Sequence, residues 1–408
     1  MGETMNPVGD AAEMAKMLDL CRRLDTLVIF RDLLRDEAIG ELSRALSDCV
    51  RGRQERFLRR LAAFEARIFE TGGDWSQYLF RRVSESENVC VRKCGAGPLN
   101  AALLGALEQE LDFLQRLSAL KLEDLPGVPR FMTGWLTSSV DIPGEYRERM
   151  RNVGQVGYGL FARYRVFTIA DGELSPVRHP DPQTLSELPG YEREREKILS
   201  NTEALLNGQP ANNVLLYGDA GTGKSSTVKA IVNEYAARGL RLVEVKKNQL
   251  YELPGLMDAL AENPLKFLIF IDDLSFTAND DNFAALKAIL EGSVGGRAGN
   301  VAVYATSNRR HLIKETFSDR EGDDIHVSDT RQELMSLSAR FGLIVTFGSP
   351  DRERYLYIVR KLAERYGVEL GETELAVRAE AFAIRAGGRS ARVAKQFVEL
   401  CRAGVLNG

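Results

Sequence analysis

The chain has 408 residues, 44% of them hydrophobic and 27% charged, with a formal net charge of -4. Those are ordinary values for a soluble globular protein, and at about 150 residues per domain the length calls for two or three domains. The acidic balance weighs against a nucleic-acid surface as the main device of the chain, and no run of about 18 apolar residues offers a membrane span.

The N-terminus Met1-Gly2-Glu3-Thr4-Met5-Asn6 has neither the basic start nor the apolar stretch of an export signal, and Asn6 spoils a myristoylation pattern. A cytoplasmic protein is expected. Cys21, Cys49, Cys90, Cys94 and Cys401 are scattered and odd in number, which argues against a disulfide framework. Cys90 and Cys94 have no second Cys or His pair nearby, so a zinc site is not expected.

Residues 1–120 read as a mainly helical N-terminal domain. Phe57, Leu61, Phe64 and Ile68 share one helical face, as do Leu107, Leu111 and Leu114 with Leu103 or Leu104. Arg51, Arg53, Arg56, Arg59 and Arg60 crowd the polar side of the earlier helix; Glu55 and Glu65 interrupt them, so a solvated face is expected rather than a phosphate or lipid surface. Residues 121–183 form a loop-rich region with short β structure and a linker, marked by Pro126, Pro129 and Pro143. Gly154, Gly157 and Gly159 read as a turn beside a strand over 160–169. Ala170-Asp171-Gly172 follows as a hairpin turn, and Pro176, Pro180 and Pro182 lead to a boundary near 183.

Residues 184–349 alternate strand and helix patterns, with strands expected over 214–217, 240–245, 267–271, 301–305 and 343–347. That alternation predicts a doubly wound, mainly parallel sheet. At its start, Val214-Leu215-Leu216-Tyr217 runs into Gly218-Asp219-Ala220-Gly221-Thr222-Gly223-Lys224-Ser225, followed by a helical stretch from Ser226. A strand, a glycine-rich loop closing on Gly-Lys-Ser, and a helix are the parts of a phosphate-binding P-loop. Its glycines let the backbone approach phosphate oxygens, the helix N-terminus supplies positive potential, and Lys224 can reach the β- and γ-phosphates. Ser225 can hold magnesium through its hydroxyl. The alternative, a strand-to-helix turn without a ligand, does not account for the whole pattern.

Further along, Phe267-Leu268-Ile269-Phe270-Ile271-Asp272-Asp273 is a buried strand ending in two carboxylates. Asp272 completes a magnesium shell through water, and Asp273 polarises the attacking water. The alternative is a turn-capping pair. Val301-Ala302-Val303-Tyr304-Ala305-Thr306-Ser307-Asn308 ends in polar groups, of which Asn308 can bind both attacking water and a terminal phosphate oxygen; an Asx turn is the alternative. Residues 318–330, rich in Asp and Glu, read as an acidic mobile loop. Residues 350–408 form a helical lid, with helices over 351–366, 374–386 and 389–400.

This constellation resembles the AAA-plus ATPases, and from Asn207 onward it is most similar to a bacterial group of them catalogued as a domain of unknown function. Asn212-Asn213 ahead of the P-loop strand, Tyr304-Ala305-Thr306-Ser307-Asn308-Arg309-Arg310-His311-Leu312 and Leu337-Ser338-Ala339-Arg340-Phe341-Gly342-Leu343 carry the closer resemblance. It covers about half of the chain at motif level.

The resemblance implies a five-stranded parallel sheet with a helical lid, ATP and magnesium between them, and a homo-oligomeric ring, usually of six. It also implies an arginine lent by a neighbouring subunit, which Arg340 fits by position. A second arginine at the start of a late helix falls on Arg389 or Arg392, and Arg392 is preferred because it directly precedes the apolar-periodic helix. One departure stands out: the family usually has Glu after the magnesium Asp, where this chain has Asp273, one methylene shorter. Slow hydrolysis is therefore one expectation beside an ATPase that remodels an unknown macromolecular partner. A nucleotide switch or scaffold and a nucleic-acid loader are the alternatives, the last disfavoured by the net charge.

Overall fold

The computed structural model describes residues 7–94, 97–274, 286, 287, 290, 298–308 and 340–406. The chain divides into two compact units, Met1–Arg163 and Tyr164–Gly408. Among the described residues no helix is long and apolar enough to cross a membrane.

The first unit is helical: α1 (Pro7–Asp25), α2 (Glu37–Val50), α3 (Gln54–Glu70), α4 (Trp75–Glu85), α5 (Val89–Cys94), α6 (Ala101–Ser118), α7 (Ile142–Arg151), α8 (Val153–Val156) and α9 (Leu160–Arg163). Phe57, Leu61, Phe64 and Ile68 are all fully buried, so the stripe on α3 is core. Phe64 packs edge-on against both Trp75 and Trp135, with ring centroids 5.0 and 4.7 Å away. The two indoles bury their N–H groups without loss, donating to the carbonyls of Leu117 and Leu120. Helix α2 begins where the Asp36 carboxylate accepts from the amides of Ala38 and Ile39, a side-chain cap on an otherwise unsatisfied turn. Two of the five arginines on that face are paired internally: Arg60 binds Glu41 and Asp48, and Arg53 binds Asp48.

The second unit is built on one seven-stranded sheet, ordered β2-β1-β4-β5-β6-β3-β7. Its strands are β1 (Val166–Ala170), β2 (Glu173–Pro176), β3 (Val214–Gly218), β4 (Leu240–Glu244), β5 (Lys266–Ile271), β6 (Val301–Ser307) and β7 (Leu343–Phe347). Every pairing except β1 with β2 is parallel. The five strands from β3 onward lie within a residue or two of their expected positions, and β6 is buried at every residue, as a strand covered on both faces must be. Helices α10 (Glu192–Leu206), α11 (Lys224–Tyr235) and α12 (Leu253–Ala261) accompany the sheet, and α13 (Arg352–Tyr366), α14 (Glu372–Arg385) and α15 (Ala391–Arg402) form the lid.

Two expectations are revised. The sheet has seven strands rather than five, because the β1–β2 hairpin joins its edge through β1, in register Val166↔Leu242. The division between the two units falls at residue 163, within the segment 121–183. Its stretch 160–169 is not one strand, since Leu160–Arg163 is helical and the strand starts at Val166. The strand count turns on a pairing partner distant in sequence, β4 for β1. The acidic segment 318–330 lies outside the described residues.

A buried polar knot holds α10 to the sheet. The Tyr304 hydroxyl, on β6, pairs with Thr202 Oγ1 at 2.8 Å and accepts from Asn201 Nδ2 at 3.1 Å. Asn201 also reaches Asn212 through both its amide and its carbonyl oxygen. Tyr304→Phe is expected to lower unfolding free energy by about 1–2 kcal/mol, the range for losing buried hydrogen bonds whose partners retain other contacts. Urea titration of the wild type and variant measures the difference.

Candidate nucleotide site

The P-loop follows β3, one strand in from the β7 edge of the parallel strands, with β6 on one side and β7 on the other. At a parallel sheet's carboxyl edge the chain must turn sharply into the next helix, and here glycine makes that possible. Gly218 sits at φ 136°, where a Cβ would collide with the backbone carbonyl of Phe347 on β7. Gly221, at φ 77°, faces the start of α15, and its carbonyl accepts from the Arg392 amide at 2.9 Å. The loop is thus fastened to the sheet at one end and to the lid at the other.

Lys224 is 6% exposed. Its ammonium donates to the carbonyls of Gly218 and Asp219, both at 2.8 Å, and to Asn308 Oδ1 at 3.0 Å. Burial pushes its pKa below the ordinary lysine value, while the carboxylates of Asp219, Asp273 and Asp272 pull it up. Asp219 itself is engaged elsewhere: its carboxylate accepts from the Ser349 amide and hydroxyl at 2.8 and 2.7 Å. Those hydrogen bonds hold its carboxyl below the usual range. Asp219 therefore ties the loop to the segment joining β7 to α13, and Ser349 is a contributor that its sequence context did not reveal.

The acidic end of β5 lies beside the loop. Ser225 Oγ donates to Asp272 Oδ1 at 2.5 Å, so the hydroxyl and carboxylate expected to share magnesium converge. Asp272 Oδ1 also accepts from Thr306 Oγ1 at 2.6 Å, and that hydroxyl accepts from the Asp273 amide at 2.9 Å. Asn308 Nδ2 donates to Asp273 Oδ1 at 2.7 Å. Asn308 thus joins Lys224 to Asp273, and Thr306 joins Asp272 to the backbone of Asp273. Thr306 was missed as a site residue. Its signal was a hydroxyl one strand position beyond Ala305, the register partner of Ile271, which immediately precedes Asp272.

A cavity of about 560 Å³ opens over this cluster. Ala220, Gly221, Thr222, Gly223, Lys224, Ser225 and Ser226 line its floor, with Asp272, Asp273, Thr306 and Asn308 beside them. Leu188, Pro189, Ile358 and Leu362 form an apolar end. One polar, cationic end and one apolar end suit a nucleotide of phosphates and base. Backbone amides at the start of α11, a buried ammonium and two hard oxygen donors match the triphosphate and its magnesium. No cluster of three or more His, Cys, Asp or Glu poised for a metal occurs among the described residues. Ser225 and Asp272 are the oxygen donors that could hold magnesium here.

The candidate arginines occupy different surroundings. Arg392 lines the cavity at the N-terminus of α15. Arg389 is engaged elsewhere, with Nε 3.1 Å and a terminal nitrogen 2.7 Å from the Glu380 carboxylate on α14. Arg389→Ala is therefore expected to leave nucleotide affinity within about twofold, whereas Arg392→Ala weakens affinity about tenfold. Titration of a fluorescent ATP analogue against both variants compares them. Arg340 precedes β7, so the length of that strand, about 17 Å, separates it from the loop edge of the sheet. It does not line the cavity.

A family described as "Protein of unknown function (DUF815)" matches residues 161–404. The 26S proteasome regulatory subunit 4 homolog of Encephalitozoon cuniculi is 29% identical over 216 residues, which cover 46% of this chain and 47% of that protein. A RuvB subunit of the Holliday junction branch migration complex, from Koribacter versatilis, is 27% identical over 205 residues, covering 48% of this chain and 53% of its own. The replication factor C large subunit of Methanococcus maripaludis is 24% identical over 196 residues, covering 47% and 36%. The chain spans about half the length, or less, of these curated relatives. Among solved structures, a RuvB point mutant from Thermotoga maritima is 18% identical, covers 56% of this chain and 67% of that one, and superposes with a TM-score of 0.36. With its P-loop, acidic strand end and lid all inside the matched residues, the chain belongs to the family described as protein of unknown function (DUF815), within the AAA-plus superfamily.

Proposed function

We propose that the protein binds ATP with magnesium, hydrolyses it slowly, and uses the cycle, as an assembly of copies of itself, to remodel a macromolecular partner. The observation that carries this reading is the convergence of Lys224, Ser225, Asp272, Asp273 and Asn308 on one cavity. Ser225 and Asp272 would hold magnesium, which would supply positive charge to the triphosphate. Lys224 and the loop amides bind and orient the triphosphate. Asp273 accepts a proton from the attacking water, with Asn308 fixing the direction of its carboxylate. Gly221 and Arg392 link the loop to the lid, so a change in loop position is transmitted to α15.

Arg340 is assigned to a neighbouring copy's site, because its own loop lies at the other end of β7. If so, Arg340→Ala and Lys224→Ala proteins, each inactive alone, restore roughly a quarter of wild-type hydrolysis when mixed in equal amounts, the share of intact head-to-tail interfaces formed by random assembly. Steady-state phosphate release checks this, and a mixture no better than its components rejects the shared site. A second reading, a switch that binds ATP and barely turns it over, is favoured by the short Asp273. A fast single-turnover phosphate burst would exclude it. The relatives' names place one in a proteasome and another on a Holliday junction, so either protein or DNA handling is within their range. The net charge of -4 favours protein here.

A further inference from the structure

The helical N-terminal unit carries an apolar groove that the nucleotide chemistry does not use. It runs between α3 and the segment after α6. One cavity of about 500 Å³ is lined by Leu58, Ala62, Phe69, Phe131 and Met132. A second, of about 710 Å³, continues on the far side of Met132 and Thr133. The aromatic rim is open: Phe131 is 85% and Phe69 50% exposed. A large aromatic side chain left that exposed beside other apolar groups marks a surface meant to be covered.

The floor of the groove supplies the second observation. Glu65 lines the first cavity and is only 8% exposed, and its Oε1 has no hydrogen-bond partner among the described residues. Two acids on the adjoining helix are paired by contrast: Glu41 and Asp48 of α2 are held by Arg60 and Arg53. A buried carboxylate oxygen without a donor is costly, and an incoming cation is the most effective donor for it. Arg59 also lines the groove, and its positive charge disfavours a second cation beside the first.

We propose that this groove binds a protein segment that presents apolar side chains flanking a single Lys or Arg, whose charged group pairs with Glu65. The apolar side chains cover Phe69, Phe131 and Met132, and the basic head reaches the floor. The site would select a partner by sequence, separately from the nucleotide reaction.

The test pans a phage-displayed random peptide library against the full-length chain without nucleotide, so that its failure leaves the ATPase reading untouched. Selected peptides are expected to carry one basic residue between apolar ones. Their synthetic versions should lose at least tenfold in affinity, by fluorescence polarisation, toward both Glu65→Gln and Phe131→Asp. Replacing the peptide's basic residue by norleucine should weaken binding to the wild type but change little toward Glu65→Gln. Phe131 is exposed, so its substitution spares the fold, and circular dichroism checks both variants. Peptides without a basic residue, or equal binding to wild type and Glu65→Gln, would overturn the proposal. So would a shift in the oligomeric state of Phe131→Asp in sedimentation, which would assign the groove to a second copy of this chain.

Discussion

Lys224→Ala is expected to weaken ATP binding about a hundredfold, equivalent to about 2.7 kcal/mol. Two losses combine. The variant removes the buried ammonium that the triphosphate would meet, and charge-assisted hydrogen bonds are each worth about 1.5–3 kcal/mol. It also removes the clamp that gathers the carbonyls of Gly218 and Asp219 with Asn308, so the loop must be ordered at the expense of binding. Lys224→Arg keeps the charge but cannot place a planar guanidinium in a space fitted to a compact ammonium, and should bind nearly as poorly. Titration with a fluorescent ATP analogue reads both; wild-type affinity in the alanine variant would reject the site.

Asp273→Asn should leave ATP affinity within about threefold while lowering hydrolysis about a thousandfold, the middle of the range for removing a general base. The backbone makes this a clean substitution. Asp273 has φ 51°, in the left-handed region that Asp and Asn visit readily and most other side chains do not. The amide that donates to Thr306 is retained, so the turn persists. The same geometry bears on the missing methylene: Asp273→Glu would set a longer side chain on a backbone that disfavours it by about 1–2 kcal/mol. Glutamate is therefore expected to restore no speed by length alone. Quench-flow phosphate release for the three side chains separates reach from backbone strain.

Much of the fold could be read from the residues because its determinants are local. An apolar strand such as 267–271 ending in Asp272 and Asp273 carries its burial and its chemistry in seven consecutive letters. The P-loop likewise encodes its turn in Gly218, Gly221 and Gly223. What escaped depends on partners far along the chain. Nothing near Ser349 signals that its hydroxyl meets Asp219, 130 residues away, or near Thr306 that it bridges Asp272 to the Asp273 amide. Arg389 and Arg392 look alike in sequence; Glu380, one helix earlier, distinguishes their surroundings. The arginine cluster of α3 read as a solvated face, whereas Asp48 and Glu41 from α2 bind part of it. Glu65 was read as an interruption in that basic face, and only the packing of α3 puts it inside.

The β1–β2 hairpin has a bearing on solubility. A parallel sheet that stopped at β4 would offer a row of free amides and carbonyls to any passing chain. Here β1 takes up that row, and the outermost strand, β2, is four residues long and ends in Pro176, which has no N–H to offer. The hairpin thus acts as a selvedge, finishing that margin of the sheet against runaway strand addition.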